Sequence, residues 1–319
     1  MRYSKICSFY HEQLSPAQLR GHNASLTPRK PKMLMAYLRR MQLDRHFELK
    51  QNFKPFTREA FYIAHTRSYV DGFFSGEKKH TRGSNLQWSP DFLKSVQYTN
   101  AALYEAVKWA VQHPQQITFA PVGGFHHAQP AQGLGYCTFS GQVITAVKLF
   151  RESGLRGAFV DLDGHFGNSI EDSRSFVPDL NRAIHPEFGN INPQGKHSQW
   201  INDFRRQLGL LRDAIQHNEV DYIVFCHGAD SHEHDDTRGQ CTTAEWLECA
   251  QIFYDFIARI DRKRNTPMPL ALCLFGGYRK DDFDSVLSLH TADLVCCLNT
   301  LCGQEIVFEA KVKKQEFRR

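Results

Sequence analysis

The feature that most constrains the fold begins near residue 117. From there, short apolar runs alternate with longer amphipathic ones. Ile117–Ala120, Gly157–Leu162 (GAFVDL), Val220–Cys226 (VDYIVFC) and Pro269–Phe275 (PLALCLF) read as strands. Between them, Val143–Phe150, Trp200–His217 and Thr242–Ile260 carry helical spacing. Strands separated by helix-length segments cannot pair as hairpins. They predict an α/β fold with a central, mostly parallel sheet and helices on both faces. In such sheets, ligands bind beyond the carboxyl ends of the strands.

The upstream half gives weaker signals. Residues 1–55 read as an irregular N-terminal rim with Pro28, Pro31 and Pro55, enclosing a helix over Lys32–Arg45. Residues 75–90 are polar and loop-like. Ser89-Pro90-Asp91 then supplies a helix start, with apolar positions at Ala101, Leu103, Val107 and Val111. No internal repeat or composition shift marks a boundary, so residues 1–319 are expected to form a single domain. Residues 305–319 are expected to be a solvated, frayed tail.

Bulk properties exclude several classes. The net charge is only +5 and the basic residues are scattered, so no direct nucleic-acid partner is expected. Nine cysteines without a CxxC pair suit a reducing compartment better than a disulfide framework. The N-terminus has no signal-like apolar stretch, and no run reads as a membrane span, so the expectation is a cytoplasmic protein without membrane contact. Oligomeric state leaves no trace in the sequence.

Each strand ends in chemistry. Gly123-Gly124-Phe125-His126-His127 follows the first, Asp161-Leu162-Asp163-Gly164-His165 the second, His227-Gly228-Ala229-Asp230 the third, and Gly276-Gly277-Tyr278 the fourth. Asp163 and His165 are two apart, so on extended backbone they face the same way. Asp230 can add a third ligand from a neighbouring strand end. Three protein ligands with one position left for water is the pattern of catalytic zinc, although Fe²⁺ or Co²⁺ also suits the donor types.

With these blocks in place, the chain resembles the histone deacetylase family and its bacterial relatives, the acetoin-utilisation proteins and acetylpolyamine amidohydrolases. The resemblance covers roughly residues 60–285. His65-Thr66-Arg67-Ser68-Tyr69-Val70 is similar to the family's early H-(T/S)-x-x-Y-(I/V) segment. GGFHHAQPAQGLGYCTF (123–139), VDLDGHFGN (160–168), HGADSHEHDDTRGQCTTAEW (227–246) and LFGGYRKDD (274–282) resemble its later blocks, in the same order. The resemblance implies a single-domain, three-layer arginase/deacetylase-like fold. It implies one Zn²⁺ per chain on Asp163, His165 and Asp230, and a structural K⁺ near the Asp161–His165 loop. His126 and His127 would be paired acid–base histidines, partnered by Asp161 and Asn168. Tyr278 would polarise the substrate carbonyl, and Gly135 and Tyr136 would line the channel to the metal. The implied activity is hydrolysis of an acylated amine such as acetyl-lysine or an acetylpolyamine. A silent acyl-ligand-binding module, or a hydrolase of another acyl group or an ester, is the alternative.

Arginase-like chemistry needs a second metal, but the positions of its extra carboxylates hold Gly167 and His232. Departures from the deacetylase pattern gather at the rim. Phe166 stands where a second histidine is usual, Phe139-Ser140 replaces the usual FN step, and the region of the usual rim aspartate reads Gln87-Trp88-Ser89-Pro90. His65 is expected to pack rather than catalyse, His232 and His234 to flank the Asp230 loop, and Cys226 and Cys273 to be buried strand residues.

Overall fold

The computed structural model describes residues 3–17 and 25–314. Seven strands form one all-parallel sheet: β1 (Lys5–Phe9), β2 (Phe47–Lys50), β3 (Gln116–Ala120), β4 (Gly157–Asp161), β5 (Asn190–Ile191), β6 (Tyr222–His227) and β7 (Leu270–Leu274), in spatial order β2-β1-β3-β7-β6-β4-β5. The longer helices are α1 (Lys30–Arg40), α2 (Arg67–Ser75), α3 (Pro90–Gln112), α4 (Gly141–Ser153), α5 (Ser198–Gln216), α6 (Thr243–Arg262) and α7 (Phe283–Cys302). Helices α3 and α4 pack together on one side of the sheet. Helices α1, α5, α6 and α7 form the opposite layer, giving a three-layer α/β architecture.

The four expected strands are therefore real, and they are the four central ones. Strands β4, β6 and β7 are buried at every position, which is what their unbroken apolar runs require in a sheet covered on both faces. Register then does the positioning. Ala120 pairs with Cys273, Cys273 with Cys226, and Cys226 with Asp161. One lateral row thus closes all four strands at the same height, and the polar segments that follow emerge side by side. Cys226 and Cys273 are buried in this row, as expected.

Two helix starts follow the sequence chemistry. The Ser89 side chain accepts from the Phe92 amide ahead of Pro90. Thr242 and Glu245 form a reciprocal capping box on α6.

The N-terminal region corrects the sequence reading. The described part of residues 1–55 is not irregular: β1 lies between β2 and β3, and β2 forms the sheet edge. These short strands lack a strong pattern of their own. The hydrogen bonds offered by the edge of β3 decide the conformation of β1, and those offered by β1 decide that of β2. Helix α1 runs over Lys30–Arg40 rather than Lys32–Arg45. It opens with Pro31 in its first turn, and the chain beyond it turns at Gln42, whose φ is 59°. The 75–90 segment contains a short helix, Lys78–Thr81, after Gly76 ends α2 in the left-handed conformation.

The C-terminal half also needed the structure. Helix α7 was not foreseen. It is long and apolar enough to cross a membrane by length and composition, with a hydropathy of 1.3, contrary to the reading that no such run exists. In the structure 83% of that window is buried inside the protein, because α1, α6 and β1 pack around it. The described part of the expected frayed tail is held down. The amides of Lys311 and Lys313 donate to Ser288 and Ser285 of α7 at 2.8 and 3.0 Å, and Arg279 donates to the Lys313 carbonyl. Residues 315–319 lie outside the described part.

Candidate active site

Asp163 leaves the end of β4 and Asp230 the end of β6, and both carboxylates are buried. His165 joins them two residues after Asp163. Its Nδ1 lies 3.0 Å from Asp163 Oδ1 and 2.8 Å from Asp230 Oδ2. One ligand atom from each of the three falls within 4.8 Å of the others, so a single ion fits among them. Three further observations support that fit. Asp230 Oδ1 is buried without a hydrogen-bond partner. Burial and the neighbouring Asp163 push the Asp230 carboxyl well above its ordinary range, as expected for two carboxylates sharing a dry site. Two glycines also make room: a Cβ at Gly276 would fall inside the Asp230 carboxylate, and one at Gly228 would meet Asp230 Oδ1 and, at 2.7 Å, the Asp163 backbone.

The histidine pair sits beside this trio. The rings of His126 and His127 lie 4.1 Å apart, but their partners differ. His126 Nδ1 is 2.9 Å from Asp161 Oδ2, and His127 Nδ1 is 2.7 Å from Asn168 Oδ1. Asn168 donates its amide nitrogen to Asp172, which turns its oxygen toward His127 and fixes Nδ1 as the protonated nitrogen. Both Nε2 atoms are thereby left for chemistry. Burial alone would depress His126, but Asp163 and Asp161 outweigh it and hold the imidazole up at about 9. Burial, then His126 itself, pulls His127 down to about 4. Phe275 packs edge-on against His126, 5.0 Å between centroids.

Tyr278 faces the pair from the end of β7. Its ring lies 6.3 Å from His165 and 5.5 Å from Tyr136. Burial, with Asp163 and Asp230 nearby, raises its phenol well above the ordinary value, so it stays a proton donor. Gly135 and Tyr136 both adopt positive φ, 51° and 62°. Only a glycine fits at 135, because a Cβ there would come within 2.8 Å of the His127 ring. All ten residues expected from the sequence therefore converge on one rim.

Two residues escaped the sequence reading. Lys30, next to Pro31, is buried and donates to the carbonyls of Phe275 and Gly276, the latter at 2.6 Å. Burial lowers its ammonium to about 8 against the opposing pull of Asp230 and Asp163. It ties the start of α1 to the strand end that carries Tyr278. Asp235 is buried and accepts from the Tyr278 amide at 2.7 Å. Its signal was its place within the 227–246 block; for Lys30 there was none, since a lysine beside prolines normally reads as surface. His65 packs as expected: Nδ1 donates to the Gln129 carbonyl, Nε2 accepts from the Ser140 amide, and burial lowers it to about 4. His232 is buried in the loop after Asp230 with His234 5.4 Å away, and neither joins the site.

Comparison with known proteins agrees with this geometry. The histone deacetylase domain family model matches residues 25–294. Histone deacetylase 8 of Xenopus laevis is 41% identical over 76 residues, 24% of this chain and 23% of that protein. Acetoin utilization protein AcuC of Staphylococcus aureus (strain COL) is 39% identical over 49 residues, 15% of this chain and 13% of that protein. These matches thus span less than a quarter of the relatives' length. The solved HDA15 HD domain superposes with a TM-score of 0.69 at 16% identity, covering 95% of this chain and 90% of that one, a likeness of fold. A family match across most of the chain, on a fold that assembles this site, shows that the protein belongs to the histone deacetylase domain family.

Proposed function

We propose that the protein is a zinc-dependent amide hydrolase that removes an acetyl or similar acyl group from an amine. The carrying observation is the juxtaposition of the Asp163–His165–Asp230 trio with two histidines whose partners differ in charge. A zinc ion on those ligands would supply Lewis acidity toward the amide carbonyl and an attacking water. The chain's own groups do the rest. His127, with Nδ1–H donated to a neutral amide, keeps a free Nε2 lone pair and serves as the base that takes a proton from water. His126, backed by the Asp161 carboxylate, holds its proton more firmly and is placed to deliver it to the departing amine. The Tyr278 hydroxyl donates to the carbonyl oxygen as negative charge builds there. Gly135 and Tyr136 form a wall of the path by which the acylated amine enters. The nine free cysteines fit a reducing cytoplasm, where we place the protein.

The test is metal content together with turnover. The purified protein should carry one zinc, release acetate from acetyl-lysine peptide, acetylputrescine or a related amide, and lose both properties in Asp163→Ala. Zinc binding with no turnover on amides or esters would mark a silent binding module instead. Turnover surviving in Asp163→Ala would discard the site.

A further inference from the structure

We propose that Arg238 sets substrate charge, selecting acylated amines that carry an anionic group on the part left outside the channel. The inference rests on the amide-hydrolase reading above. Its basis is the placement of one exposed cation against the ligand loop. Gly164 lies between Asp163 and His165, and a Cβ there would meet the Arg238 Cβ at 2.7 Å, its Cγ at 3.0 Å and Gln240 Oε1 at 2.9 Å. The aliphatic stem of Arg238 therefore lies directly on the segment that carries two of the three ligands.

That position is anchored. Gln240 Nε2 donates to the Gly164 carbonyl at 2.7 Å, and the Gln240 and Cys241 amides both donate to the Ser231 carbonyl, at 2.7 and 2.8 Å. On the other side, Asp235 binds the Thr237 amide at 3.0 Å and the Tyr278 amide at 2.7 Å. The residues flanking Arg238 are thus tied to the ligand loop, to the loop after Asp230 and to Tyr278. An exposed arginine so held keeps its stem on protein and its guanidinium in water.

The guanidinium is also unspent. No hydrogen bond or ion pair engages the Arg238 side chain among the described residues. The neighbouring carboxylates have other work: Asp235 as above, Asp236 accepting from the Lys280 amide, and Glu233 from the Thr243 amide. Beyond His165, Phe166 is 51% exposed at the same rim. A planar guanidinium with no partner suits a carboxylate and repels a polycation.

The test uses three ligands sharing one acetylated lysine arm with a blocked α-amine: the free acid, its carboxamide and its aminoethyl amide, with net charges −1, 0 and +1. Binding is measured by calorimetry on zinc-loaded Tyr278→Phe protein, and kcat and KM on the wild type. The acid should bind about fivefold tighter than the carboxamide, the size of an exposed ion pair, and the cationic amide weakest of all. Arg238→Ala should level the series by raising KM for the acid with kcat unchanged, and Arg238→Glu should reverse the order. An acetyl-lysine peptide flanked by aspartates showing the same dependence would place the anion on a protein, whereas dependence confined to the free acid would place it on a small molecule. An unchanged order in Arg238→Ala, with turnover intact, overturns this proposal alone. Failure of the metal-loaded protein to bind any of the three overturns it together with the amide-hydrolase reading.

Discussion

Gly276→Ala offers a direct trial of the proposed metal centre, because the structure fixes what one methyl group would strike. Its Cβ would sit 2.6 Å from Asp230 Oδ2, with Cγ and Oδ1 nearer still. All three carboxylate atoms lie closer than van der Waals contact allows. Asp230 has little room to retreat, since it is fully buried and Gly228 crowds its other side. The backbone resists too: the Gly276 amide donates to Asp163 Oδ2 at 2.8 Å and its carbonyl accepts from Lys30. The mutation therefore displaces one ligand carboxylate and strains the strand end that leads to Tyr278. Loss of a supporting contact alone lowers metal affinity about 10- to 100-fold, and displacing a ligand belongs at or beyond the upper figure. Overpacking should cost roughly 1–3 kcal/mol of stability. Gly209→Ala in α5 is the control, because nothing lies within 4 Å of its Cβ. It should leave zinc untouched and stabilise the protein by about 0.5–1 kcal/mol, the helix-propensity difference. Competition against a zinc chelator, with thermal melts of metal-free protein, separates the two effects. Gly276→Ala protein that binds zinc as tightly as wild type would refute the assignment of Asp230 as a ligand.

Three further outcomes follow from named contacts. Tyr278→Phe should keep zinc but lower kcat about 10²- to 10³-fold, the usual loss for one oxyanion donor; steady-state kinetics with zinc analysis would show it, and a kcat within threefold of wild type would remove the hydroxyl from the reaction. Asn168→Asp should raise the His127 pKa, because a carboxylate favours the imidazolium. If neutral His127 is the working base, activity is lost as pH falls through that pKa, so the acid limb of the kcat profile should move to higher pH, and an unmoved limb would assign the base elsewhere. His65 concerns stability: buried and held at about 4 against 6.5 when unfolded, it is neutral in the native state. Protons bind the unfolded chain first, so its contribution is present above pH 6.5 and lost as pH falls toward 4. The shift of 2.5 units corresponds to about 3 kcal/mol. Urea melts from pH 7 to 4 should show wild type losing that much more stability than His65→Gln, and parallel losses would refute it.

The parts of this molecule that were legible in the sequence are those where local pattern and tertiary role coincide. Strands buried on both faces must be apolar throughout, so β4, β6 and β7 stand out, and a polar cluster after each can only lie at the carboxyl edge. Asp163 and His165 were readable because a separation of two keeps them close, although a bend at residues 164–165 beyond the end of β4, not an extended strand, brings their side chains together. Where a residue's role comes from elsewhere in the chain, the sequence is silent. β1 is a strand because β3 offers an edge, and β2 because β1 then offers the next one. Helix α7 hides as an unpatterned apolar stretch because partners surround it. Lys30 becomes a structural cation only when the fold buries it under the carbonyls of Phe275 and Gly276.

The same division explains why the reaction is better determined than the substrate. The reacting groups sit on strand ends that one lateral register row, Ala120–Cys273–Cys226–Asp161, holds at a common height. These strands pack against helices on both faces, so a one-residue slip of any of them would force its side chains to repack against both close-packed layers, and the core itself holds the site residues in register. The rim has no such enforcement. Phe166 and Arg238 touch the ligand loop, but their outer atoms face water, where substitution costs the fold little. A member of this family can therefore change what enters the channel without disturbing what happens at its end. The proposal above places one such change at position 238.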